Sequence, residues 1–440
     1  MIMITVNGII AVGSDSRRST RTIALVLGFV SSLICPHNAT AQAPENAAAF
    51  PAWESFTEEL RQVGDKMIAR LPERLRSDPR VQQEVGRLLL EAVAAKTIEA
   101  ISSDRDHPVF LPTSNITLNV FQPNSDTTYR TALITPGGTY RLRGERGSVR
   151  VFKLGQFGVT PAKASSGIAA LAYHDFGDLH LDSQGLFDVI LSPARPAGYS
   201  GDWWQLQAGT SSLLLRQVDY DWARERDPRI SVERLDKAVQ RPRLDAAELE
   251  HRLRGLATAI GNSASFLVDH VETLRRDGYI NRLKEFDVSH LGGLVGQFYY
   301  EGAYELSPDE ALVLEAKVPE KCAYWSMILT NDIYETTDWY NNQSSLNGSQ
   351  LRIDTDGVVR VVISSRDPGV PNWLDTAGYP SGAIQGRWNE CSATPIPTLR
   401  MVAIADVRRT LPADTPGVTP SQREQTVRDR RSQLQQRPLW

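Results

Sequence analysis

Residues 116–152 read ITLNVFQPNSDTTYRTALITPGGTYRLRGERGSVRVF, and this stretch decides the fold class. Short runs of β-branched and aromatic residues alternate in it with the turn-forming sequences Pro-Asn, Pro-Gly-Gly and Gly-Glu-Arg-Gly. Runs of this kind, bounded by turns, are typical of strands in a sandwich or a barrel-like sheet. The pattern predicts strands at Ile116–Phe121, Thr127–Ile134, Gly138–Leu142 and Val149–Phe152.

The same pattern continues toward the C-terminus in two regions. The first region ends near Tyr220, with further strands predicted at Leu179–Leu181, Phe187–Leu191, Trp203–Gln207 and Ser212–Tyr220. A second β-rich region runs from Phe298 to Val407, with strands predicted at Ala311–Val318, Tyr324–Leu329, Leu351–Ile353, Val358–Ile363 and Leu399–Val407. We therefore expect two β-sandwich-like domains.

Helical periodicity occurs on both sides of the first β region. Apolar residues recur at three- and four-residue spacing in Trp53–Leu71 and in Arg80–Ile101. A helical insert follows, in which Asp245 is a good N-cap, Glu248 stands three residues later and Gly278 is a natural terminator. Gly261 is expected to break or bend this segment. The predicted fold class is mainly β with a helical N-terminal segment and a helical insert (α+β).

These patterns divide the chain into six predicted segments. They are a signal peptide at 1–41, a helical N-terminal segment at 42–110, an N-terminal β-domain at 111–230, a helical insert at 231–295, a C-terminal β-sandwich at 296–410 and a polar tail at 411–440. The tail is rich in Pro, Arg and Gln, and an exposed polar helix is expected at Ser421–Gln436.

The first forty residues have the order of a secretory signal. Basic Arg17, Arg18 and Arg21 precede an apolar stretch from Ile23 to Ile34, and Ala39-Thr40-Ala41 then provides a small-x-small cleavage site. The pattern predicts export to the periplasm or secretion. No other segment approaches about twenty apolar residues, so no stable membrane insertion is expected.

Charge and cysteine content narrow the possible partners and the compartment. The formal net charge is -4, which argues against a nucleic-acid partner, since phosphate binding needs a basic excess. Two cysteines remain after the predicted signal is removed, Cys322 and Cys391. In an oxidising compartment such a pair suggests one disulfide, and the alternative is two separate buried thiols.

Part of the C-terminal region resembles a known family. The run Tyr299-Tyr300-Glu301-Gly302-Ala303-Tyr304, the strand Ala323-Tyr324-Trp325-Ser326-Met327, and the blocks Asn372-Trp373-Leu374-Asp375 and Gly386-Arg387-Trp388 are similar to DUF1214. The earlier Pro123-Asn124-Ser125-Asp126-Thr127-Thr128-Tyr129 resembles the signature of its frequent partner, DUF1254. Both are families of bacterial exported proteins of unassigned function. The resemblance implies a jelly-roll type sandwich near the C-terminus, and it implies no reaction.

Familiar enzyme signatures are absent from the sequence. There is no GxSxG elbow, P-loop, HExxH, CxxC or Rossmann fingerprint, so no cofactor is expected. Imidazoles and carboxylates suitable for a metal are concentrated in one place, at His174, Asp175, Asp178, His180 and Asp182. Their spacing, with Gly177 between the histidines, fits the polar tip of a hairpin, so we predict no metal site.

The late aromatic residues suggest a ligand-binding cleft. Flat aromatic faces stack on sugar rings, and neighbouring amides and charged groups can hydrogen-bond hydroxyls. The alternative is that the tryptophans fill a sandwich core and the Asn and Asp residues build turns. The predicted contacts to a saccharide or similar polar small molecule are Trp325, Trp339, Tyr340, Asn341, Asn372, Trp373, Arg387 and Trp388.

Two further functions remain possible from the sequence. Asp126 and Tyr129 could serve as base and acid, and Asp375 could be a second carboxylate across the same cleft, which would allow a hydrolase or lyase acting on a glycan. The segment from Asn124 to Asp126 could equally be a turn whose side chains cap backbone groups. A structural role in the cell envelope, with the Arg/Gln-rich tail supporting a homo-oligomer, is the other alternative.

Overall fold

The structure is a computed structural model that describes residues 51–159, 169–288 and 292–439. The predicted signal peptide lies outside the described residues. Within them, helices pack beside a body built from four β-sheets, which confirms the predicted α+β class with sandwich-like domains. Of the described helices, none is both long enough and apolar enough to cross a membrane.

The helices occur in three groups along the chain. Apolar side chains from the first two groups pack together in one core around Met67, Val85 and Ile260. The helices are α1 (Pro51–Arg61), α2 (Val63–Arg70), α3 (Glu73–Arg76), α4 (Pro79–Ser102), α5 (Ala246–Arg254), α6 (Leu256–Ala264), α7 (His270–Arg276), α8 (Val407–Thr410) and α9 (Pro420–Gln436).

The first sandwich has two facing sheets with strand orders β1-β2-β8-β4-β5 and β7-β6-β3-β9. Its core lies between them around Phe152, Phe176 and Leu213. The strands are β1 (Leu111–Ser114), β2 (Thr127–Leu133), β3 (Tyr140–Glu145), β4 (Val151–Gly158), β5 (Ala169–Asp175), β6 (Leu186–Ser192), β7 (Asp202–Gln205), β8 (Thr210–Val218) and β9 (Arg229–Arg234).

The second sandwich has sheets with strand orders β10-β11-β17-β13-β14 and β16-β15-β12-β18. Its core contains Trp325, Ile384 and Trp388. The strands are β10 (Lys284–Glu285), β11 (Gln297–Glu305), β12 (Glu310–Lys317), β13 (Cys322–Leu329), β14 (Ser345–Asn347), β15 (Val358–Ser364), β16 (Trp373–Asp375), β17 (Ser381–Cys391) and β18 (Thr398–Ala403).

The two sandwiches have the same topology. Adding nine to each strand number of the first sandwich gives the strand order of both sheets of the second. The agreement extends to strand direction, because the edge pairs β6–β7 and β15–β16 are both parallel while the central pairs are antiparallel. The structure therefore contains one architecture twice, although no repeat with a fixed short period is visible in the sequence.

Several predicted strands differ from the observed ones. The predicted strand Ile116–Phe121 is wrong, because this segment is a loop in which Phe121 and Gln122 both have positive φ. Leu179–Leu181 and Leu351–Ile353 are not strands either, and Ile353 forms only an isolated bridge. The chain after β18 turns helical at Ile404–Asp406, so the predicted strand to Val407 is too long.

The helical predictions are correct in position and differ in where the helices break. Trp53–Leu71 divides into α1 and α2. The insert breaks at Gly255 instead of Gly261, which lies inside α6. The Asp245 side chain caps α5 by accepting a hydrogen bond from the Glu248 backbone N–H, and Gly278 follows α7 with φ of 85°.

Helix α9 and its C-cap residue pack against both sandwiches through three arginines spaced seven residues apart, of which Arg423 and Arg430 are buried and Arg437 has a largely buried side chain. Arg423 binds Asp367 of the second sandwich, and Arg437 forms ion pairs with Asp219 and Asp227 of the first. Between them, Arg430 lies over the Trp222 ring at 4.6 Å, and its burial lowers its pKa to about 10. The predicted polar helix is present, but one of its sides is inserted between the sandwiches.

A disulfide joins Cys322 and Cys391, which are cross-strand partners on β13 and β17. This confirms the first of the two alternatives left by the sequence. The bond closes a loop between residues 69 positions apart, and it lies at one end of the second sandwich.

Candidate functional site

Each sandwich turns one polar sheet face away from its own core. In β2 and β8, alternation places Ala132 and Leu213 in the first core and leaves Tyr129 and Arg216 on the opposite face. Tyr129 and Arg216 are direct cross-strand partners. This face is polar although the strand β8 is otherwise rich in leucine.

The second sandwich repeats this arrangement at the equivalent strands. Residues Ile384 and Trp388 of β17 enter the core, so Arg387 points to the other face. Its cross-strand partner on β11 is Tyr299. One Tyr–Arg pair therefore lies at the same place in the topology of each sandwich.

The two polar faces are turned toward each other. A small apolar cluster joins Val151 and Val218 of the first sandwich to Tyr324 of the second. Lys153 on β4 forms an ion pair with Glu390 on β17. These contacts place the two sheet faces that carry the Tyr–Arg pairs against each other. We call Tyr129, Tyr173, Arg216, Tyr299 and Arg387 the inter-sheet cluster.

Arg216 is held by neutral groups. Its guanidinium donates to the Tyr173 hydroxyl at 3.2 Å and to the Gly292 carbonyl at 2.7 Å. It also lies 5.9 Å from the centre of the Phe157 ring. Arg216 is half-buried as a residue, and these contacts fix its guanidinium in position.

Arg387 is more deeply buried, with 4% of its surface exposed. One terminal nitrogen donates to Gln385 Oε1, and the guanidinium lies 5.5 Å from the centre of the Tyr299 ring. Its Nε is buried without a hydrogen-bond partner among the described residues. A buried donor without a partner is costly, so this nitrogen has unused capacity to bind an acceptor.

The tyrosines and arginines of the cluster act on one another's pKa. Burial acts to lower the pKa of both arginines, but nearby phenols raise it overall, and Tyr129 and Tyr299 act on both. Burial also raises the pKa of Tyr299, although Arg387 and Arg216 oppose it. Tyr299 is therefore neutral at neutral pH, and its phenol does not neutralise the guanidinium charges.

Neither arginine has a carboxylate of its own. Within the described part of the chain, neither Arg216 nor Arg387 is engaged in an ion pair, and the nearest acidic influence on Arg387 is a weak one from Asp126. Arginines this far inside a protein are normally paired, because an uncompensated buried charge is expensive. The cluster therefore has two positive charges that no side chain in the described part of the chain balances.

A buried hydrogen-bond chain holds Arg387 from behind. Gln385 Nε2 donates to the Tyr334 hydroxyl at 2.8 Å, which donates to Glu301 Oε2 at 3.1 Å. His270 Nε2 lies 2.9 Å from both oxygens of Glu301. The Gln385 amide orientation is fixed because its other end accepts from Arg387, so the chain orients the guanidinium.

Asp126, predicted as a base, is enclosed by hydrogen-bond donors. With 1% of its surface exposed, it accepts from Tyr324 Oη at 2.6 Å, Trp222 Nε1 at 2.9 Å and Asn347 Nδ2 at 3.0 Å. Burial raises its pKa. These contacts join the first sandwich to the second, which favours the structural interpretation of the Asn124–Asp126 turn.

Asp375, the predicted second carboxylate, belongs to the edge strand β16. Its side chain accepts from the Ala377 backbone N–H at 2.8 Å, and burial raises its pKa. Among the described residues it shares no hydrogen-bond partner with Asp126. Of the three predicted catalytic residues, Tyr129 belongs to the inter-sheet cluster, where its cross-strand partner is Arg216.

The predicted stacking residues are buried. Trp325 and Trp388 pack against each other in the second core, with ring centres 5.2 Å apart. Trp339 lies beneath α9 in a cluster with Trp222 and Leu434. Trp373 donates to Ser364 and is covered by Arg423. Their faces contact protein, as in the alternative interpretation that tryptophans fill the core.

The predicted polar contacts are engaged in local structure. Asn372 holds two backbone segments by bonding to the main chain of Arg352 and Arg360. Asn341 is exposed and donates to Asp338, while the Tyr340 hydroxyl donates to the Leu434 carbonyl. The structure therefore brings only Arg387 from this set into the inter-sheet cluster.

The histidine and aspartate residues near 174–182 do not converge. His174 stacks on Trp204 and burial lowers its pKa to about 4, whereas His180 is exposed and bonds Asp202. No group of three or more potential ligands that could hold a metal ion occurs within the residues that the structure describes.

Sequence reasoning missed Arg216, Tyr299 and Tyr173. The sequence patterns place Arg216 inside a predicted strand and give it no role, and Tyr299 is named only in the family resemblance. The sequence does contain a signal for Arg216. This arginine directly follows the apolar run Leu213-Leu214-Leu215 within one predicted strand, so its charge must face out of the core.

Comparisons with known proteins give a partial match to one family model and matches to solved structures. The model of the family described as "Protein of unknown function (DUF1214)" matches residues 304–382, whereas the resemblance to DUF1254 remains a prediction. A solved structure of an uncharacterized protein from Burkholderia cenocepacia is 26% identical, covers 80% of this chain and 97% of its own, and has a TM-score of 0.73. The VPA0106 protein from Vibrio parahaemolyticus is 12% identical, covers 72% of this chain and 99% of its own, and has a TM-score of 0.41. None of the curated proteins gives a significant match.

Proposed function

We propose that this protein binds a small polar ligand carrying a carboxylate or a similar anion in the space between its two sandwiches. The observation that carries the proposal is that Arg216 and Arg387 converge there without an ion pair in the described part of the chain. A bound anion would supply the missing negative charge.

The chemistry of the cluster suits a carboxylate in particular. A guanidinium presents parallel N–H donors that match the two oxygens of a carboxylate. The phenols of Tyr129 and Tyr299 offer hydroxyls and flat faces beside these donors. A pre-oriented arginine loses little freedom on binding, and the chain behind Gln385 provides that orientation.

This proposal retains the saccharide hypothesis in a narrower form. An acidic sugar has a carboxylate for the arginines and hydroxyls for the tyrosines, whereas a neutral sugar would leave the charges unbalanced. The aromatic surface would come from tyrosines in the cluster, since the tryptophans are buried.

The proposal is tested by calorimetry and thermal shift on the full chain. The probes are neutral sugars, uronic acids, mono- and dicarboxylic acids and inorganic phosphate. We expect stabilisation by at least one class of acid and none by neutral sugars, with weaker binding in Arg216→Gln and Arg387→Gln. The matched control is Arg431→Gln, an exposed arginine on α9. Absence of binding by every acid would sink the proposal.

A lyase acting on an acidic glycan is the second candidate function. The observation favouring it is that Tyr129, a predicted acid–base residue, lies beside two arginines able to neutralise a substrate carboxylate. Incubation of the protein with uronate-containing oligosaccharides should then give an unsaturated product that absorbs in the ultraviolet, and Tyr129→Phe should abolish it. If the oligosaccharide binds tightly but is not cleaved, the lyase function is wrong and the binding function stands.

We also propose that the protein acts in the periplasm or outside the cell. The support is the signal pattern at 1–41 together with a disulfide between the two cysteines that follow it. N-terminal sequencing of the protein recovered from its source is expected to begin at Gln42. Recovery from the cytoplasm with residues 1–41 intact would contradict export.

A further inference from the structure

Each sandwich contributes one Tyr–Arg pair, which we call an arm, to the inter-sheet cluster. Tyr129 and Arg216 are partners on β2 and β8, and Tyr299 and Arg387 are partners on β11 and β17. These strands correspond under the shared topology of the two sandwiches. The cluster is therefore built from two Tyr–Arg arms at equivalent positions, which face each other across the space between the sheets.

The two arms are supported independently. Arg216 is anchored by Tyr173 and the Gly292 carbonyl, whereas Arg387 is anchored by Gln385 and the chain that leads to Glu301. Neither arginine donates to the support of the other. A shared single anion would need only one anchored guanidinium, so separate anchoring indicates two separate points of attachment.

We propose that the ligand has two anionic groups, one for each arm, and that it is a small dicarboxylic acid. The inference rests on the proposed function and adds the chemical class of the ligand. One carboxylate is held by Tyr129 and Arg216 and the other by Tyr299 and Arg387. Two ligand charges then balance the two guanidinium charges that the described part of the chain leaves unpaired.

Each guanidinium is held by its own hydrogen bonds, so the separation of the two arms is fixed. The neighbours across the sheets are Lys153 beside Arg216 and Ser326 beside Arg387. Lys153 is already paired with Asp175 and Glu390, so it adds no third unpaired cation. The affinity should therefore peak at one chain length and fall for shorter and longer diacids.

The experiment measures the affinity of the wild-type full chain by calorimetry for linear dicarboxylates from malonate to adipate. Each diacid is compared with its own monoamide, which has the same length and one charge fewer. Inorganic phosphate, with its charge on one group, is the third probe. We expect the best diacid to bind at least about tenfold more tightly than its monoamide, and more tightly than phosphate.

Variants of each arm complete the test. Arg216→Gln and Arg387→Gln should each reduce the diacid-to-monoamide ratio to about one, because either change leaves a single arm. Arg216→Lys and Arg387→Lys retain the charge and should keep part of the ratio, which separates loss of an arm from loss of folding.

The outcomes separate this inference from the proposed function. Equal binding of diacids and monoamides by the wild type, or tighter binding of phosphate, would overturn the two-armed ligand while leaving an anion site. Failure of every acid and of phosphate to bind would overturn both.

Discussion

The two sandwiches have the same strand order but support their arms differently. In the first, the row across the sheet runs Tyr129, Arg216, Lys153 and Asp175, and it is charged. In the second, the corresponding row runs Tyr299, Arg387, Ser326 and Asn347, and beyond the arginine it is neutral. Topology thus sets where the arms lie, whereas local side chains decide how rigid and how accessible each arm is.

The sandwiches also differ in what holds them. The second has a disulfide between β13 and β17, and its loop residue Glu335 pairs with Arg87 of α4. The first is held by the distant helix α9 through Arg437. The same architecture is therefore stabilised covalently in one copy and by long-range ion pairs in the other.

The largest expected effect is on the first sandwich. Arg437→Ala would leave Asp219 buried without its cation, and Asp219 is 1% exposed. Burial raises the pKa of Asp219 to about 8, so above pH 8, where this carboxyl is charged, we expect the free energy of unfolding to fall by roughly 3–5 kcal/mol, as for other broken buried ion pairs. Urea denaturation measures the change, and Arg431→Ala on the exposed side of α9 is the control. A change no larger than in that control would mean that α9 does not hold the first sandwich.

The next effect concerns the second sandwich. Replacing Cys322 and Cys391 together with Ala removes the cross-link of residues 69 positions apart. We expect a loss of roughly 2–4 kcal/mol, because the unfolded chain regains loop entropy. Denaturation with and without reductant measures it, and reductant should not affect the double variant. Equal sensitivity of variant and wild type to reductant would contradict this account.

A smaller effect, which depends on pH, arises where the helices meet the second sandwich. Burial raises the pKa of Glu335 to about 8, even though Arg87 acts against it. Because this folded-state pKa lies above the unfolded value of about 4.5, the contribution of Glu335 is full below pH 4.5 and is lost as the pH rises toward 8. Glu335→Gln should therefore flatten the decline in stability between pH 6 and 7.5 by about 2 kcal/mol. Unfolding curves across this range that are parallel for variant and wild type would show that Glu335 does not titrate there.

The smallest expected effects compare the arms directly. Tyr129→Phe and Tyr299→Phe each remove one hydroxyl and retain the ring. Each should weaken binding of the best diacid by roughly fivefold, because a single neutral hydrogen bond contributes about 1 kcal/mol. Tyr199→Phe, in a loop of the first sandwich, is the control. If only one of the two substitutions weakens diacid binding, the two arms contribute unequally to the affinity.

Much of the fold follows from local sequence patterns. Short apolar and β-branched runs between turn residues predict β2, β6, β12 and β15. Helical spacing predicts α4, which has one clear apolar face. The segment Ile116–Phe121 misled the prediction because its β-branched composition resembles a strand, while Phe121 has a positive φ that propensity cannot reveal.

The site was harder to predict than the fold. Arg387 and Tyr129 were identified as candidates, but their association depends on two sheets that are far apart in sequence. The tryptophans misled the prediction because the sequence does not show whether an indole fills a core or lines a cleft. The shared topology, which pairs the two arms, cannot be seen without the strand order.

Helix α9 has a consequence for the order in which the molecule assembles. Arg437 donates to the Asp126 carbonyl across 311 positions of the chain, and contacts of such long range form late because closing a large loop is entropically slow. The first sandwich can thus collapse early around its own leucines, and the contacts that α9 and Arg437 make with both sandwiches form later.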